Sequence, residues 1–371
     1  MPSTKPLTLV QVHTFYPGFL SHSYAALPHM AEQSFQEQID WLLGKGFSAP
    51  HMFTRPLAEL GLSTFQIIAN CVPAQASWLK ENGATDIGNV TSAYVLKRQI
   101  DMIKPDLLYI NDCITFDSQF VRSIERHPKL VFGWRGFPPP ATTDWSSFDF
   151  ILTSFDNMFD WAKERGAKKV IRFHPGFPDF CSPVESPRVP DLDVVFSGSV
   201  TRQHAYRIQL LNYIGGLSRE PAPEGFSFGL YMGDASALDP TVAVLNRGAV
   251  WGDEMIATLR RAKIVVNIDI DAFNNQPPNM RLIEATGAGA FLLTPYHPQL
   301  SEFFAPGEEI ETFRTPAELI AKIRYFLDHD EEREAIALAG QKRCQKDHAL
   351  SQRARWLKDI LETELKAVAE R

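Results

Sequence analysis

Short apolar runs alternate with longer amphipathic runs along the chain, and this alternation limits the fold more than any other feature. Short apolar runs are typical of buried parallel strands, and the amphipathic runs between them are typical of helices that cover a sheet. The series occurs twice, before and after a proline-dense segment at 174–191. The sequence therefore predicts an α/β protein with two Rossmann-like, doubly wound domains that face a cleft.

The two series give explicit element predictions. The predicted strands of the first series are 7–12, 64–69, 106–110, 130–133, 150–153 and 169–173, and those of the second are 193–196, 227–231, 264–268 and 291–293. The predicted helices are 34–43, 73–82, 90–103, 118–126, 317–327, 331–343 and 351–370. We place the domain boundaries at 1–178 and 179–350, with a C-terminal helix at 351–371 that returns to the first domain.

Composition excludes several classes of function. At 371 residues the chain is long enough for two domains, and 44% hydrophobic with 22% charged residues is typical of a soluble globular protein. The formal net charge of −7 argues against nucleic acid as a partner, because such binding needs a basic surface. No apolar run approaches the roughly 20 residues of a membrane-spanning helix, which leaves peripheral membrane contact open. The absence of a signal-peptide pattern and the scattered cysteines Cys71, Cys113, Cys181 and Cys344 predict a cytoplasmic protein with reduced thiols.

The segment NMRLIEATGAGAFLLT at 279–294 has the most specific local pattern. Asn279 is suited to cap a helix, and a helix places Arg281 and Glu284 on one face near its start. Gly287 and Gly289 can end that helix directly before an apolar strand. A cation and a carboxylate there can hold a phosphate and accept hydrogen bonds from sugar hydroxyls. The alternative is an exposed intrahelical ion pair of little energetic value.

A Gly-Ser turn follows the first predicted strand of the second domain. Gly198 and Ser199 have small side chains, which let backbone N–H groups approach an anion. Three side chains in and after the turn can add positive charge, namely Arg202, His204 and Arg207. The alternative is an ordinary connection between a strand and a helix.

Polar residues also follow strands of the first domain. His13 follows the first strand, where an imidazole can act as a general base for a hydroxyl nucleophile. Alternatively, it is a structural histidine bonded to the backbone. Asp112 follows the third strand and can act as a base or cap the next helix. Asp117, past the third strand, and Arg135, past the fourth, are further candidates.

Several other chemistries lack their motifs. Asp269 and Asp271 match a two-carboxylate metal pattern only superficially, since polar strand ends often look like this. No His or Cys cluster has the spacing of a transition-metal site. P-loop, GxSxG and GxGxxG motifs are missing from the expected turns, which argues against kinases, hydrolases and dehydrogenases.

The second half of the chain resembles glycosyltransferases of the GT-B fold, and in particular the CgeB-like branch of the group-1 glycosyltransferases. The resemblance extends from about residue 193 to 355 and rests on the order of its motifs, DVVFSGSVTRQHAYR, VVNIDIDAF, PPNMRLIEATGAGAFLLT and HALSQR. It continues more loosely through TFYPGFL and GWRGFP in the first half.

The resemblance implies a division of labour between the two domains. The second would bind a nucleotide-sugar donor without a bound metal, with Glu284 on the ribose and Arg281 and Arg202 near the diphosphate. The first would receive a hydroxyl acceptor, such as a glycan or another cell-envelope molecule in polysaccharide biosynthesis. Relatives carry a glutamate that contacts the donor sugar where this chain has Gln276.

The resulting hypothesis is a cytoplasmic enzyme that transfers a hexosyl or related sugar, with no further cofactor. If the configuration inverts, His13 is the expected base. A nucleotide-sugar epimerase of the same fold and a non-catalytic nucleotide-sugar-binding protein are the alternatives, because a fold does not fix a function. Donor base, sugar, acceptor and oligomeric state stay open.

Overall fold

The chain divides into two compact units. The computed structural model describes residues 5–84, 92–179, 189–201, 204–221, 224–269 and 280–370. The first unit comprises Met1–Pro175 and Leu350–Arg371, and the second comprises Gly176–Ala349. Each unit is built around its own parallel sheet, so the predicted α/β class is confirmed.

The first unit contains a six-stranded parallel sheet. Its strands are β1 (Thr8–His13), β2 (Ser63–Ile68), β3 (Leu107–Ile110), β4 (Leu130–Trp134), β5 (Phe150–Thr153) and β6 (Val170–Arg172). They lie in the order β2-β1-β3-β4-β5-β6, so β1 is an inner strand between β2 and β3. The carboxyl ends of β1, β3 and β4 therefore meet at one edge of this sheet.

Helices cover both faces of the first sheet. They are α1 (Pro17–Ala26), α2 (Phe35–Gly44), α3 (Thr54–Glu59), α4 (Val72–Glu81), α5 (Ser92–Ile103), α6 (Ser118–Arg122) and α7 (Met158–Glu164). Alternate residues of β1 enter different cores: Leu9 packs on one face, and Val10 and Val12 pack on the other. Both faces are apolar, which explains why the strand is a nearly continuous apolar run.

The second unit contains a five-stranded sheet. Its strands are β7 (Leu192–Ser197), β8 (Phe228–Tyr231), β9 (Ala262–Val266), β10 (Phe291–Pro295) and β11 (Glu311–Phe313), in the order β11-β10-β9-β7-β8. All its described pairings are parallel. The loops after β7, β9 and β10 therefore lie at the same edge.

The helices of the second unit lie on both faces of that sheet. They are α8 (Ala205–Leu217), α9 (Pro240–Ala243), α10 (Gly252–Arg261), α11 (Arg281–Gly287), α12 (Pro316–Asp328) and α13 (Asp330–Asp347). The connection from α11 to β10 is tight because Gly289 takes a φ of +77°. Its N–H donates to Thr286 O, and the N–H of Ala290 donates to Ala285 O, as in a Schellman motif.

The last helix, α14 (Leu350–Ala369), is part of the first unit. Its apolar stripe enters the same core as Phe53 and Leu57, and consists of Leu350, Ala354, Leu357 and Leu361. The spacing of these four residues places them on one face of a helix, which is how a helix buries an apolar stripe.

Candidate functional site

The carboxyl edge of the second sheet brings together Arg281 and Glu284. The guanidinium Nη1 of Arg281 lies 3.0 Å from Oε2 of Glu284, and its Nη2 donates to the carbonyl oxygen of Ser197 at 3.0 Å. Ser197 is the last residue of β7. The two side chains are only 12% and 14% exposed, so they do not form the ordinary solvent-exposed ion pair of the alternative interpretation.

The Gly-Ser turn lies next to this pair in the chain. The N–H of Gly198 donates to Tyr231 O at 3.1 Å, which holds the turn against the end of β8. A Cβ atom at Gly198 would approach the ring of Phe196 to 3.0 Å, so glycine suits this tight position. Ser199 is exposed and lies outside the core of the unit.

Arg207 ties two loops of this edge together. Its Nη1 donates to Ser199 O at 2.7 Å, and its Nε donates to Ile268 O at 3.1 Å, while its Nη2 also donates to Ile268 O. The side chain is buried, with its guanidinium near the ring of Phe196. The geometry therefore favours a positioning role for Arg207 over direct charge pairing with a ligand.

Two predicted residues cannot be placed. Arg202 and Asn279 lie outside the described residues, so their predicted roles stay predictions. The structure begins α11 at Arg281 and assigns the preceding cap position to Met280, which has a helical backbone conformation.

At the carboxyl edge of the first sheet, His13 and Asp112 meet around Thr14. The ring Nδ1 of His13 lies 2.7 Å from Thr14 O, and the hydroxyl of Thr14 donates to Oδ2 of Asp112 at 2.9 Å. The other oxygen of Asp112 accepts the N–H of Thr115 at 3.1 Å. Asp112 thus caps a turn as well as binding Thr14, and its proposed role as a base stays a prediction.

Burial keeps His13 uncharged. It lowers the pKa of His13 to about 4, although Thr14 O and Asp112 act in the opposite direction. Since Nδ1 donates to Thr14 O in the neutral ring, Nε2 carries the lone pair and accepts from the hydroxyl of Ser48 at 3.1 Å. Ser48 takes an unusual φ of 57° for a residue other than glycine.

Sequence reasoning missed His51, which lies near His13. Burial, and secondarily the charge that His13 would carry, lowers the pKa of His51 to about 3. Its ring centroid lies 4.3 Å from that of Trp134. His51 ends the short segment SAPH at 48–51, which matches no motif for a functional site, and its spacing from His13 does not predict that the two rings lie close together.

Asp269 and His297 form a second pair that sequence reasoning missed. Nε2 of His297 lies 2.6 Å from Oδ2 of Asp269. Asp269 follows β9 and His297 follows β10, so the order of strands brings them together. The other carboxylate of the discounted metal pattern, Asp271, lies outside the described residues. Within the described ranges, no group of three or more His, Cys, Asp or Glu side chains is arranged to hold a metal ion.

Comparisons with known proteins point to one class of enzyme. Residues 224–359 match a family model described as "Glycosyl transferase-like". No curated protein matches the sequence significantly.

Solved structures of similar fold cover almost the whole chain. A glycosyltransferase from Rickettsia africae has a TM-score of 0.60 at 10% identity, covering 99% of this chain and 100% of its own. HepE from Anabaena, solved with UDP-glucose, has a TM-score of 0.59 at 10% identity, covering 96% and 100%. Sucrose-phosphate synthase from Thermosynechococcus elongatus has a TM-score of 0.56 at 10% identity, covering 97% and 100%.

These likenesses establish the fold, which is that of the GT-B glycosyltransferases. The family match lies mainly in the second unit and includes Arg281 and Glu284, whereas Gly198, Ser199 and Arg207 precede it. No helix among the described residues is both long enough and apolar enough to span a bilayer.

Proposed function

We propose that this chain, a glycosyltransferase of the GT-B fold, transfers a hexosyl or related sugar from a nucleoside diphosphate to a hydroxyl group. The acceptor is a glycan or another cell-envelope molecule. The second unit binds the donor, and the first unit binds the acceptor. The observation that carries the proposal is the largely buried Arg281–Glu284 pair at the carboxyl edge of the second sheet. Ligands of open α/β sheets bind at this edge.

The pair offers both charges that a nucleoside diphosphate needs. Arg281 can meet a phosphate oxygen with N–H groups in a planar arrangement, and its contact with Ser197 places it beside the Gly-Ser turn. Glu284, one helical turn later, can accept hydrogen bonds from the two ribose hydroxyls. Because both side chains are already held within the unit, little ordering entropy is lost when the donor binds.

The bond that breaks joins the anomeric carbon to the diphosphate oxygen, and the bond that forms joins that carbon to the acceptor oxygen. Negative charge develops on the leaving diphosphate as the first bond lengthens. Fixed guanidinium and backbone N–H groups stabilise that charge in the transition state, and this is the role we assign to Arg281 and the Gly198–Ser199 turn. Cationic side chains can thereby act in place of a metal ion.

The proton of the acceptor hydroxyl goes to His13 if the configuration inverts. A neutral imidazole is required for this step, and His13 is neutral; burial lowers its pKa to about 4, which makes it a weaker base than a free imidazole. Nε2 is the atom with the lone pair, and it is the atom that accepts from Ser48. The acceptor hydroxyl would take the place of the Ser48 hydroxyl or transfer its proton through it.

The finer placement in the CgeB-like branch is part of the proposal and is supported by the succession of motifs between residues 193 and 355. A cytoplasmic location, with peripheral contact to a membrane that presents the acceptor, is likewise proposed.

Binding and turnover assays test the proposal in two stages. A thermal-shift screen of nucleoside diphosphates and their sugars should identify a donor, because a ligand of the native state raises its melting temperature. That donor is then incubated with and without hydroxyl acceptors, and sugar products and released nucleotide are quantified. Transfer only with acceptor supports the proposal. Isomerised donor without acceptor would indicate an epimerase, and binding without any product would indicate a binding protein.

A further inference from the structure

The Asp269–His297 pair has exposed polar atoms at the donor edge of the second sheet. The two side chains are 22% and 11% exposed, and a single contact of 2.6 Å joins Oδ2 to Nε2. Among the described residues, no hydrogen bond involves Oδ1 of Asp269 or Nδ1 of His297. Both side chains keep part of their surface exposed, so a ligand can contact them.

A chain of contacts places this pair beside the proposed diphosphate site. Arg281 binds the carbonyl of Ser197, at the end of β7. Two residues later in the chain, the carbonyl oxygen of Ser199 accepts a hydrogen bond from the guanidinium of Arg207. The same guanidinium also donates to the carbonyl oxygen of Ile268. Ile268 directly precedes Asp269. The Gly-Ser turn and the Asp269 loop are therefore held together by one buried side chain.

The loop of β9 is fixed on its other side as well. The amide of Asn267 donates to the hydroxyl of Thr294 at 3.0 Å, and both residues are buried. Thr294 belongs to β10, the strand that leads to His297. Asp269 and His297 thus project from two loops whose bases are cross-linked, which keeps their geometry fixed before a ligand arrives.

The chemistry of the pair selects a hydroxylated partner. With Nε2–H of His297 donating to Oδ2 of Asp269, Oδ1 of the carboxylate and Nδ1 of the imidazole remain as acceptors, one on each side chain. Two acceptors on joined side chains can accept hydrogen bonds from two hydroxyl groups of one sugar ring. A sugar that carries a carboxylate would be repelled by Asp269.

We infer that Asp269 and His297 bind the transferred sugar through two of its hydroxyl groups and select neutral sugars over uronic acids. This inference rests on the proposed function and names the substrate class of the same donor site. Asp269 contacts the sugar, and His297 both orients that carboxylate and provides the second acceptor.

The competing explanation is structural: the pair does no more than fasten the loop of β9 to that of β10. The two explanations differ in what a substitution changes. A fastening role affects folding stability and the affinity for every donor ligand equally. A sugar-binding role affects nucleotide sugars and leaves the free nucleoside diphosphate unchanged.

The test compares the dissociation constants of UDP, UDP-glucose and UDP-glucuronic acid by isothermal titration calorimetry of the full chain. If the wild type binds GDP more tightly than UDP, the corresponding guanosine diphosphate ligands replace the three uridine ligands. Asp269→Asn should weaken the binding of UDP-glucose about tenfold, which is the scale of one charge-assisted hydrogen bond. The dissociation constant of UDP should change less than about twofold. The substitution should also remove the preference for UDP-glucose over UDP-glucuronic acid. His297→Gln should weaken UDP-glucose by a smaller factor, because the carboxylate remains.

A matched control comes from an ion pair on the outer strand β11 of the same sheet. Glu311 begins β11 and pairs with Lys322 at 3.1 Å, with comparable exposures of 14% and 28%. Glu311→Gln removes an ion pair of this unit and should leave all three dissociation constants unchanged.

Equal effects of Asp269→Asn on UDP and UDP-glucose, or no effect on either, would overturn the inference. If Asp269→Asn does not fold, His297→Gln alone decides: a selective loss of UDP-glucose affinity supports the sugar-binding role, and its absence contradicts it. A wild type that binds neither free nucleoside diphosphates nor nucleotide sugars would contradict the proposed function itself, and the inference with it.

Discussion

The carboxyl edges of the two sheets carry different sets of polar residues. In the second unit the edge presents charged groups, above all Arg281 and Glu284. In the first unit the edge presents Asp112 and two imidazoles, His13 and His51, that burial keeps neutral. The same architectural position therefore holds a largely buried ion pair in one unit and uncharged proton acceptors in the other.

The contrast matches the chemistry proposed for each unit. A diphosphate needs fixed positive charge that strengthens as the leaving group departs, whereas a hydroxyl nucleophile needs an uncharged base. If His13 were protonated at neutral pH it could not accept a proton. If Arg281 were neutral it could not stabilise the leaving group. The two edges can therefore be tested separately: turnover tests the edge of the first unit, and donor affinity tests the edge of the second unit.

The largest expected effect is on turnover when His13 is replaced. His13→Gln should reduce sugar transfer about 10²- to 10⁴-fold, because general bases contribute on this scale. Donor affinity should stay the same, since His13 belongs to the first unit. The rate of sugar transfer at saturating donor is the measurement.

The first unit offers a matched control for that substitution. His127 has the same backbone contact as His13, with Nδ1 2.9 Å from the carbonyl of the next residue, Pro128. It precedes β4 and so lies away from the carboxyl edge. His127→Gln should leave turnover unchanged. Full activity of His13→Gln would show that His13 is not the base and would favour a retaining reaction.

The next effect is on donor affinity when Arg281 is replaced. Arg281→Gln should weaken the nucleoside diphosphate about 100-fold, as expected when a partly buried charge-assisted contact is lost. Arg281→Lys should recover only part of this, because an ammonium cannot reproduce the planar arrangement. Calorimetric titration gives both values.

Arg261 provides the control for the Arg281 variants. It forms a bidentate pair with Asp191 at the start of β7, with distances of 2.9 and 2.6 Å, and the pair is about half exposed. Arg261→Gln should leave donor affinity unaltered. Equal losses in Arg261→Gln and Arg281→Gln would point to a non-specific effect of charge.

The smallest effect is on stability at acidic pH. The pKa values of about 4 for His13 and about 3 for His51 lie below the unfolded value of about 6.5. The unfolded chain therefore binds more protons between those values, and the free energy of unfolding falls as pH decreases below about 6.5. We expect these two histidines to lower the free energy of unfolding between pH 6.5 and pH 4.

Urea denaturation between pH 4 and pH 7 measures this loss. His13→Gln should make the free energy of unfolding depend less steeply on pH, whereas His127→Gln should leave that dependence unchanged. A slope that is unchanged in His13→Gln would mean that His13 is protonated freely in the folded protein, and the contrast between the two edges would fail.

The fold could be predicted from the sequence because buried parallel strands are local apolar runs. Each predicted strand overlaps an observed one, and β5 (Phe150–Thr153) has the predicted bounds. The prediction missed α1 because only Phe19 and Ser23 of that helix are buried, so its sequence has no apolar periodicity. It missed β11 because three residues are too few to show alternation. The helix predicted at 118–126 ends at Arg122.

In the candidate site, too, contacts between residues close in sequence could be predicted, whereas contacts between distant residues could not. Arg281 and Glu284 are three residues apart on one helix, so their proximity follows from helical geometry. Asp269 and His297 are 28 residues apart, and His13 and Ser48 are 35 apart. Those pairs depend on the order of strands and on a turn with an unusual backbone conformation, neither of which the spacing of residues reveals.

The most direct test of the donor site is a comparison of a nucleoside diphosphate with its 2′-deoxy analogue. Calorimetry of the wild type and of Glu284→Gln with both ligands isolates the contact between Glu284 and the ribose, because the effects of the two changes cease to add when they remove one interaction. We expect the wild type to prefer the ribonucleotide about tenfold and Glu284→Gln to bind both ligands equally. An equal preference for the ribonucleotide in both proteins would contradict the assignment of Glu284, and with it the donor site in the second unit.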